Sequence, residues 1–204
     1  MSAPLIERFV RAARQETARS LQELCAEVGA AEASVLAPSG AKLIFFASTN
    51  PLLMSESAPS VPINGSFSGA AFRSGQTMAV ANAAGMAQHY GAVDATTKEA
   101  THEFAAIPIA GREVLGVLTL VNRLTPSERR PAPFSLDELA RAEAFARETG
   151  LALQGFPGLF DHIAGRSGHE MADASWLAPL ANLGAAERRV VAALADALIK
   201  NRGR

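Results

Sequence analysis

Imidazole and thiol groups are the first places to look for chemistry in this 204-residue chain. Histidine is both a base near neutral pH and a metal ligand, and His89-Tyr90 and His102 lie near the middle of the sequence. Neither histidine has the company such chemistry needs. The sequence contains no H-E-x-x-H, no cysteine pair and no second carboxylate at metal-ligand spacing, so a metal site is not expected. Cys25 is the single cysteine, which excludes an internal disulfide framework and any multi-cysteine metal centre. No nucleophile is paired with a base and an orienting group, so an enzyme is not expected. His89 and Tyr90 are expected to pack on the segment that carries them.

That segment, Asn82 to Thr101, reads NAAGMAQHYGAVDATTKEAT and has no sustained period. A connection of this length between two strands usually has a task. The elements around it follow from the apolar pattern. From Pro4 to Val28 apolar residues recur at three- and four-residue steps, one stripe of a long helix with Pro4 in its first turn and Gly29 at its stop. At about 1.5 Å per residue such a helix approaches 40 Å, more than a small sheet needs to cover itself. Cys25 on that stripe reads as a small buried hydrophobe.

Ala33 to Ala37 and Lys42 to Ala47 read as short strands joined by a turn at Pro38-Ser39-Gly40. Ser48 to Asn64 reads as a mobile surface loop rich in serine, proline and asparagine. Phe67 to Ser74 reads as a helix with Gly75 as its C-terminal cap, followed by a strand at Thr77 to Ala81. The centre of the chain is His102 to Asn122, HEFAAIPIAGREVLGVLTLVN. Two apolar strands there meet at Gly111-Arg112-Glu113, and the second is too continuously apolar to face water on one side. Gly116 marks a bulge or a close backbone approach, and Pro108 marks an irregular or partly exposed edge. Ser135 to Gln154 reads as a helix with Leu136, Leu139, Ala142, Phe145, Ala146 and Thr149 toward one side. Ser135 and Glu138 form the pattern of a capping box. Beyond Gly155-Phe156-Pro157-Gly158, the stretches Leu159 to Ala164, Ala174 to Leu183 and Ala186 to Lys200 are helical candidates.

Composition sets outer bounds. A hydrophobic content of 49% is ample for a core, and a net charge of -1 from 19 basic and 20 acidic residues supplies no global field for nucleic acid or an anionic membrane. No stretch approaches the roughly 20 apolar residues of a membrane span, and the N-terminus lacks a signal-peptide core, so a cytoplasmic location is expected.

Several ordered motifs together carry a family resemblance: Gly65-Ser66-Phe67-Ser68-Gly69-Ala70-Ala71-Phe72-Arg73-Ser74-Gly75-Gln76 before Met78-Ala79-Val80, then the central hairpin, then Asn122-Arg123 and the helix opening Phe134-Ser135-Leu136-Asp137-Glu138. The stretch from Gly65 to Phe145 resembles the GAF domain, the small-molecule sensor module of cyclic-nucleotide phosphodiesterases, cyclases and many bacterial signalling proteins. The resemblance implies an α+β fold: a central antiparallel sheet of about six strands with helices on both sides, plus a C-terminal helical tail. Residues 1–154 would form the GAF domain and 155–204 a helical extension. It also places the first and last helices of the domain together, on the opposite sheet face from a ligand pocket that the Asn82 to Thr101 segment closes.

Asn122, Arg123, Phe134, Asp137 and Glu138 are similar to the dispersed Asn-Lys, Phe and Asp-Glu motif of cyclic-nucleotide-binding members, in which the Lys and the Asp pair. Arg replaces the Lys here, which suits a carboxylate equally well. Only two residues separate Phe134 from Asp137 where the family has three, which rotates Asp137 on its helix. The pair implied is Arg123 with Asp137. In the pocket the resemblance gives Asp94, Thr97 and Thr101 as ligand contacts, with Asn82 where an Asp is common and Ala95 in place of a second acid. Such short hydroxyls and amides can hydrogen-bond a purine edge or a phosphate. Reductases of free methionine sulfoxide with this fold depend on several pocket cysteines, which Cys25 alone cannot supply. His169-Glu170-Met171 resembles the start of a histidine-kinase phosphoacceptor box, without its continuation.

The expectation is therefore a non-enzymatic sensor with no cofactor beyond a small-molecule ligand such as a cyclic nucleotide. It would form a homodimer through its long helices and relay to a separate signalling protein. The alternative is a GAF-fold interaction or scaffold module without a ligand. Cavity volume separates the two: roughly 300 Å³ or more, lined by Asn82, Asp94 and Thr97, fits a sensor, and a pocket filled by Phe and Met side chains fits a scaffold.

Overall fold

A computed structural model of the chain describes residues 3–55, 57–111, 113–124 and 133–154, with side chains at all of these except 3–10, 12 and 152–154. The tail candidates within 155–204, residues 125–132, and the side chains of Phe9 and Val10 on the stripe expected to dimerise lie outside the described residues.

Helix α1 (Ala3–Val28) leads into strands β1 (Ala30–Ser39) and β2 (Lys42–Ser48), a 3-10 turn (Pro51–Met54), β3 (Val61–Pro62), α2 (Phe67–Ser74), β4 (Met78–Val80), a second 3-10 turn (Ala83–Gly85), α3 (Ala92–Thr97), β5 (Phe104–Ala110), β6 (Val114–Arg123) and α4 (Leu136–Gln154). Gly29 stops α1 in the left-handed region at φ +64°, where a side chain would be strained. The strands form one sheet in the order β3-β2-β1-β6-β5-β4, antiparallel at every pair. The central hairpin sits inside it, as its unbroken apolar run requires.

Alternation along the strands splits the core in two. Val35, Phe46, Ile107, Leu118 and Leu120 face α1 and α4, where Leu21, Leu24, Val28, Ala142 and Ala146 close a single cluster. Leu36, Leu43, Ala106 and Val117 face the other way, toward Ala71 and Phe72 of α2 and Tyr90 and Val93. Cys25 is buried in the first cluster. Burial pushes its thiol up to about 11, so it stays protonated at neutral pH.

Gly116 combines both features its sequence position suggests. Ile109 pairs with Gly116 and Ala110 with Val114, leaving Leu115 as a bulged residue. A Cβ on Gly116 would stand 2.5 Å from the Leu36 carbonyl oxygen. Pro108 pairs toward β6, and β4 reaches only Phe104 to Ala106 of β5, so the missing N–H falls beyond the end of β4.

Four expectations need correction. Residues 48–64 are not simply a loop: Asn50 caps the 3-10 turn by accepting from Leu52 N at 3.0 Å, and Val61-Pro62 adds an edge strand to β2. The Asn82 to Thr101 connection contains α3, too short for its period to show in the sequence. Leu136, expected to pack, is 85% exposed in the first turn of α4. The fourth concerns Arg123. Its Nη2 donates to Glu138 Oε1 at 2.8 Å, whereas Asp137 is exposed. Three residues lie between Phe134 and Glu138, so the shortened motif hands the pairing role to the next acid along the helix.

Glu138 also accepts from Ser135 N at 2.6 Å, while Glu138 N donates to Ser135 Oγ at 3.3 Å, the reciprocal capping box. Burial pushes the Glu138 carboxyl up, but hydrogen bonds from Ser135 and Arg123 outweigh it and leave the group below its ordinary value. A lowered carboxyl pKa contributes stability that is present above the unfolded value near 4.5 and lost as pH falls through the folded value. Glu138→Gln is expected to lower the unfolding free energy by about 1–2 kcal/mol at pH 7, and Asp137→Asn by less than about 0.5. In urea titrations the gap between wild type and Glu138→Gln should close below pH 4.5. Equal midpoints at pH 7 would discard the pair as a source of stability.

Candidate functional site

Polar side chains inside a core need a reason, and here they converge. Six described polar residues are buried: Ser34, Ser48, Ser66, Ser68, Thr101 and Thr119. Five of them, all but Ser48, line one cleft on the α2 side of the sheet. Register explains its floor. Ser34 pairs with Ser48 across β1-β2 and with Thr119 across β1-β6, which puts three hydroxyls in a row across the sheet. Ser34 Oγ donates to Ser48 Oγ at 2.8 Å, and Thr119 Oγ1 to the Ser34 carbonyl at 3.4 Å.

The start of α2 makes one wall. Ser66 caps the helix by accepting from Gly69 N at 3.0 Å and donates to the Pro62 carbonyl. The first-turn amides of Phe67 and Ser68 therefore have no helical acceptor. Ser68, only 5% exposed, makes no side-chain hydrogen bond to a described residue. Phe67 leans on Phe104, ring centroids 5.8 Å apart.

The second wall is the Asn82 to Thr101 segment. Its ends are pinned by Ala83 N and Ala84 N donating to the His102 and Thr101 carbonyls at 2.8 and 3.1 Å. Asp94 closes it from within. Its carboxylate accepts from Thr101 Oγ1 at 2.7 Å and Thr101 N at 2.9 Å, and lies 3.0 Å from His89 Nε2. Asn122, left-handed at φ 52°, secures the exit: its Oδ1 accepts from His102 N at 2.8 Å and its Nδ2 donates to the Ala100 carbonyl at 3.0 Å. Asparagine is among the few residues that take this conformation at low cost. Nothing on α3 itself is buried.

Of the candidates named from sequence, Asp94 and Thr101 line the cleft and hold each other. Asn82 and Thr97 do not reach it: Asn82 is exposed, and Thr97 Oγ1 donates back to the Val93 carbonyl at 3.2 Å. The cavity left between the walls is about 60 Å³ and is bordered by Phe45, Phe67 and Phe104. That is well short of the 300 Å³ expected of an open sensor pocket. Ser34, Ser68 and Thr119 are absent from the sequence candidates. For Ser34 and Thr119 the signal was a hydroxyl inside an apolar strand, as in Leu118-Thr119-Leu120, whereas Ser68 on α2 carried none.

A GAF domain family model matches residues 14–153. The chain belongs to the GAF family. Solved structures agree on the fold. The GAF domain of a phosphoenolpyruvate-protein phosphotransferase from Coxiella burnetii is 16% identical with a TM-score of 0.58, covering 81% of this chain and 99% of that one. Its counterpart from Acinetobacter is 17% identical, TM-score 0.53, covering 83% and 99%. A type II free methionine-R-sulfoxide reductase from Thermoplasma acidophilum is 12% identical, TM-score 0.56, covering 76% and 96%. No curated protein matches the chain. The GAF domain is a regulatory and sensory fold of signalling proteins, and this chain has its architecture. Among the described residues no three His, Cys, Asp or Glu side chains gather where a metal could bind, and no helix is long and apolar enough to cross a membrane.

Proposed function

We propose that this GAF domain is a regulatory module that binds a small polar molecule in the cleft between α2 and the Asn82 to Thr101 lid, and that α3 must swing out to admit it. The observation that carries the reading is the convergence of five of the six buried polar side chains among the described residues on one cleft. A core with no ligand to meet would be filled more stably by apolar groups. Ser68, with no described partner, is the clearest contact for a ligand acceptor. Asp94 and Thr101 act as the latch that the ligand must displace or join. A cyclic nucleotide is far larger than 60 Å³ and enters only with the lid open. Cys25, protonated on the far sheet face, supports a non-enzymatic role. The long α1 and its neighbour α4 are the surface through which a homodimer or a separate signalling partner would be addressed.

The small cavity favours a second reading, a scaffold whose cleft is permanently shut. Hydrogen exchange separates the two. With no residue of α3 fully buried, residues 82–101 should exchange fast in ligand-free protein and slow selectively when the right compound is added, cyclic AMP and cyclic GMP being the first to try. A lid as protected as β6 in ligand-free protein would defeat the sensor reading in favour of the scaffold.

A further inference from the structure

A half-buried cation with no ionic partner among the described residues lies outside the cleft. Arg14 stands on α1 with its guanidinium carbon 5.9 Å from the centre of the Phe46 ring. Its Nε is buried without a partner, and neither terminal nitrogen makes a hydrogen bond or ion pair to a described residue. Burial pushes its pKa down, the mark of a cation deprived of water. Beside it lies a pocket of about 250 Å³, four times the cleft volume, between α1, β2 and the 51–60 connection.

Leaving a half-buried guanidinium without an anion is costly, and the pocket is built to receive one. Ser60 presents a hydroxyl, Ser55 already donates its own to the Leu52 carbonyl at 2.8 Å, and Ile44, Leu53, Met54 and Pro59 supply apolar wall. No described carboxylate lines it. A guanidinium offers a planar two-pronged donor that matches a carboxylate. One cation with apolar walls suits a singly charged anion with an apolar body rather than a phosphate dianion, which ordinarily needs more than one positive group.

We propose that the Arg14 pocket is a second ligand site, for a small organic carboxylate, distinct from the cleft although Phe45 borders both. Benzoate is the probe, with neutral benzamide as its isostere. The Arg14 Nε–Hε signal and the Met54 methyl signal of the full chain should move saturably with benzoate in NMR titration, and benzamide should be at least about tenfold weaker. Arg14→Met should abolish the Met54 shift, and Arg14→Lys should weaken it because the fork is lost. Equal responses to benzoate and benzamide, or no saturable response, overturn the proposal, and that comparison stands whether or not Arg14→Met folds. Glu56 follows Ser55 in the sequence and lies outside the described residues. If only Glu56→Gln, and not wild type, responds to benzoate, the chain's own carboxylate fills the site and the proposal falls.

Discussion

Asp94→Ala should release the lid. One carboxylate takes two hydrogen bonds from Thr101 and lies 3.0 Å from His89 Nε2, and Thr101 is only 7% exposed. Removing the acceptor leaves a buried N–H and hydroxyl without a charged partner, a cost of about 2–4 kcal/mol by the values for hydrogen bonds to ionised groups. Because α3 only half-buries its residues, much of that loss is felt as local opening and not as global unfolding. Amide exchange in residues 88–101 is expected to speed up by about 30- to 700-fold, while β6 changes far less. Asp94→Asn keeps one acceptor and should fall between. Thr97→Val is the control: its hydroxyl donates back into its own helix turn and accepts only a long 3.4 Å bond from the exposed Glu99 N, so the change should stay within about 0.5 kcal/mol. Exchange in Asp94→Ala at the wild-type rate would mean that something other than this carboxylate shuts the cleft.

The same residues mark where sequence reading stops. The sheet was legible because its central strands are buried on both faces, and a run such as Val114 to Val121 has no other stable home. Helix α2 was legible because Gly75 ends it, left-handed at φ +65°, while the Ser66 cap emerged only with the structure. Asp94 and Thr101 enter the cleft, but Asn82 and Thr97 miss it, because α3 turns Thr97 back onto Val93 and Asn82, at the start of the Ala83–Gly85 turn, is exposed. A six-residue helix has too few positions for a period, so the direction of each side chain along it was not readable. Register was equally hidden. Nothing local says that Ser34, Ser48 and Thr119 lie side by side, since that depends on which residues of distant strands pair. The Arg123 partner was missed by one residue, which on a helix is a turn of about 100°.

Gly69→Ala pits two effects of opposite sign against each other. Helix propensity alone favours alanine over glycine inside a helix by up to about 1 kcal/mol. Packing says the reverse, because a Cβ at this position would lie 2.0 Å from the Ile63 carbonyl oxygen and 2.5 Å from its carbon. Those are backbone atoms, so no side chain can rotate away; α2 itself must back off. In doing so it strains the cap, since Gly69 N donates to Ser66 Oγ and Ser66 Oγ to the Pro62 carbonyl. Overpacking at this contact should cost about 3 kcal/mol, the upper end of what cores tolerate, and the net change is destabilising by about 2 kcal/mol or more. The displaced helix carries Phe67 and Ser68 away from the sheet, so the cleft should widen in the fraction that stays folded. Gly91→Ala supplies the contrast, because its nearest neighbour is the His89 ring at 3.9 Å and its backbone is already right-handed at φ -64°. That variant should melt within a degree or two of wild type, by about 0.5 kcal/mol at most. If Gly69→Ala proves as stable as Gly91→Ala in urea unfolding, α2 is not held against Ile63, and the wall that positions Ser68 is looser than the contacts around Ser66 require.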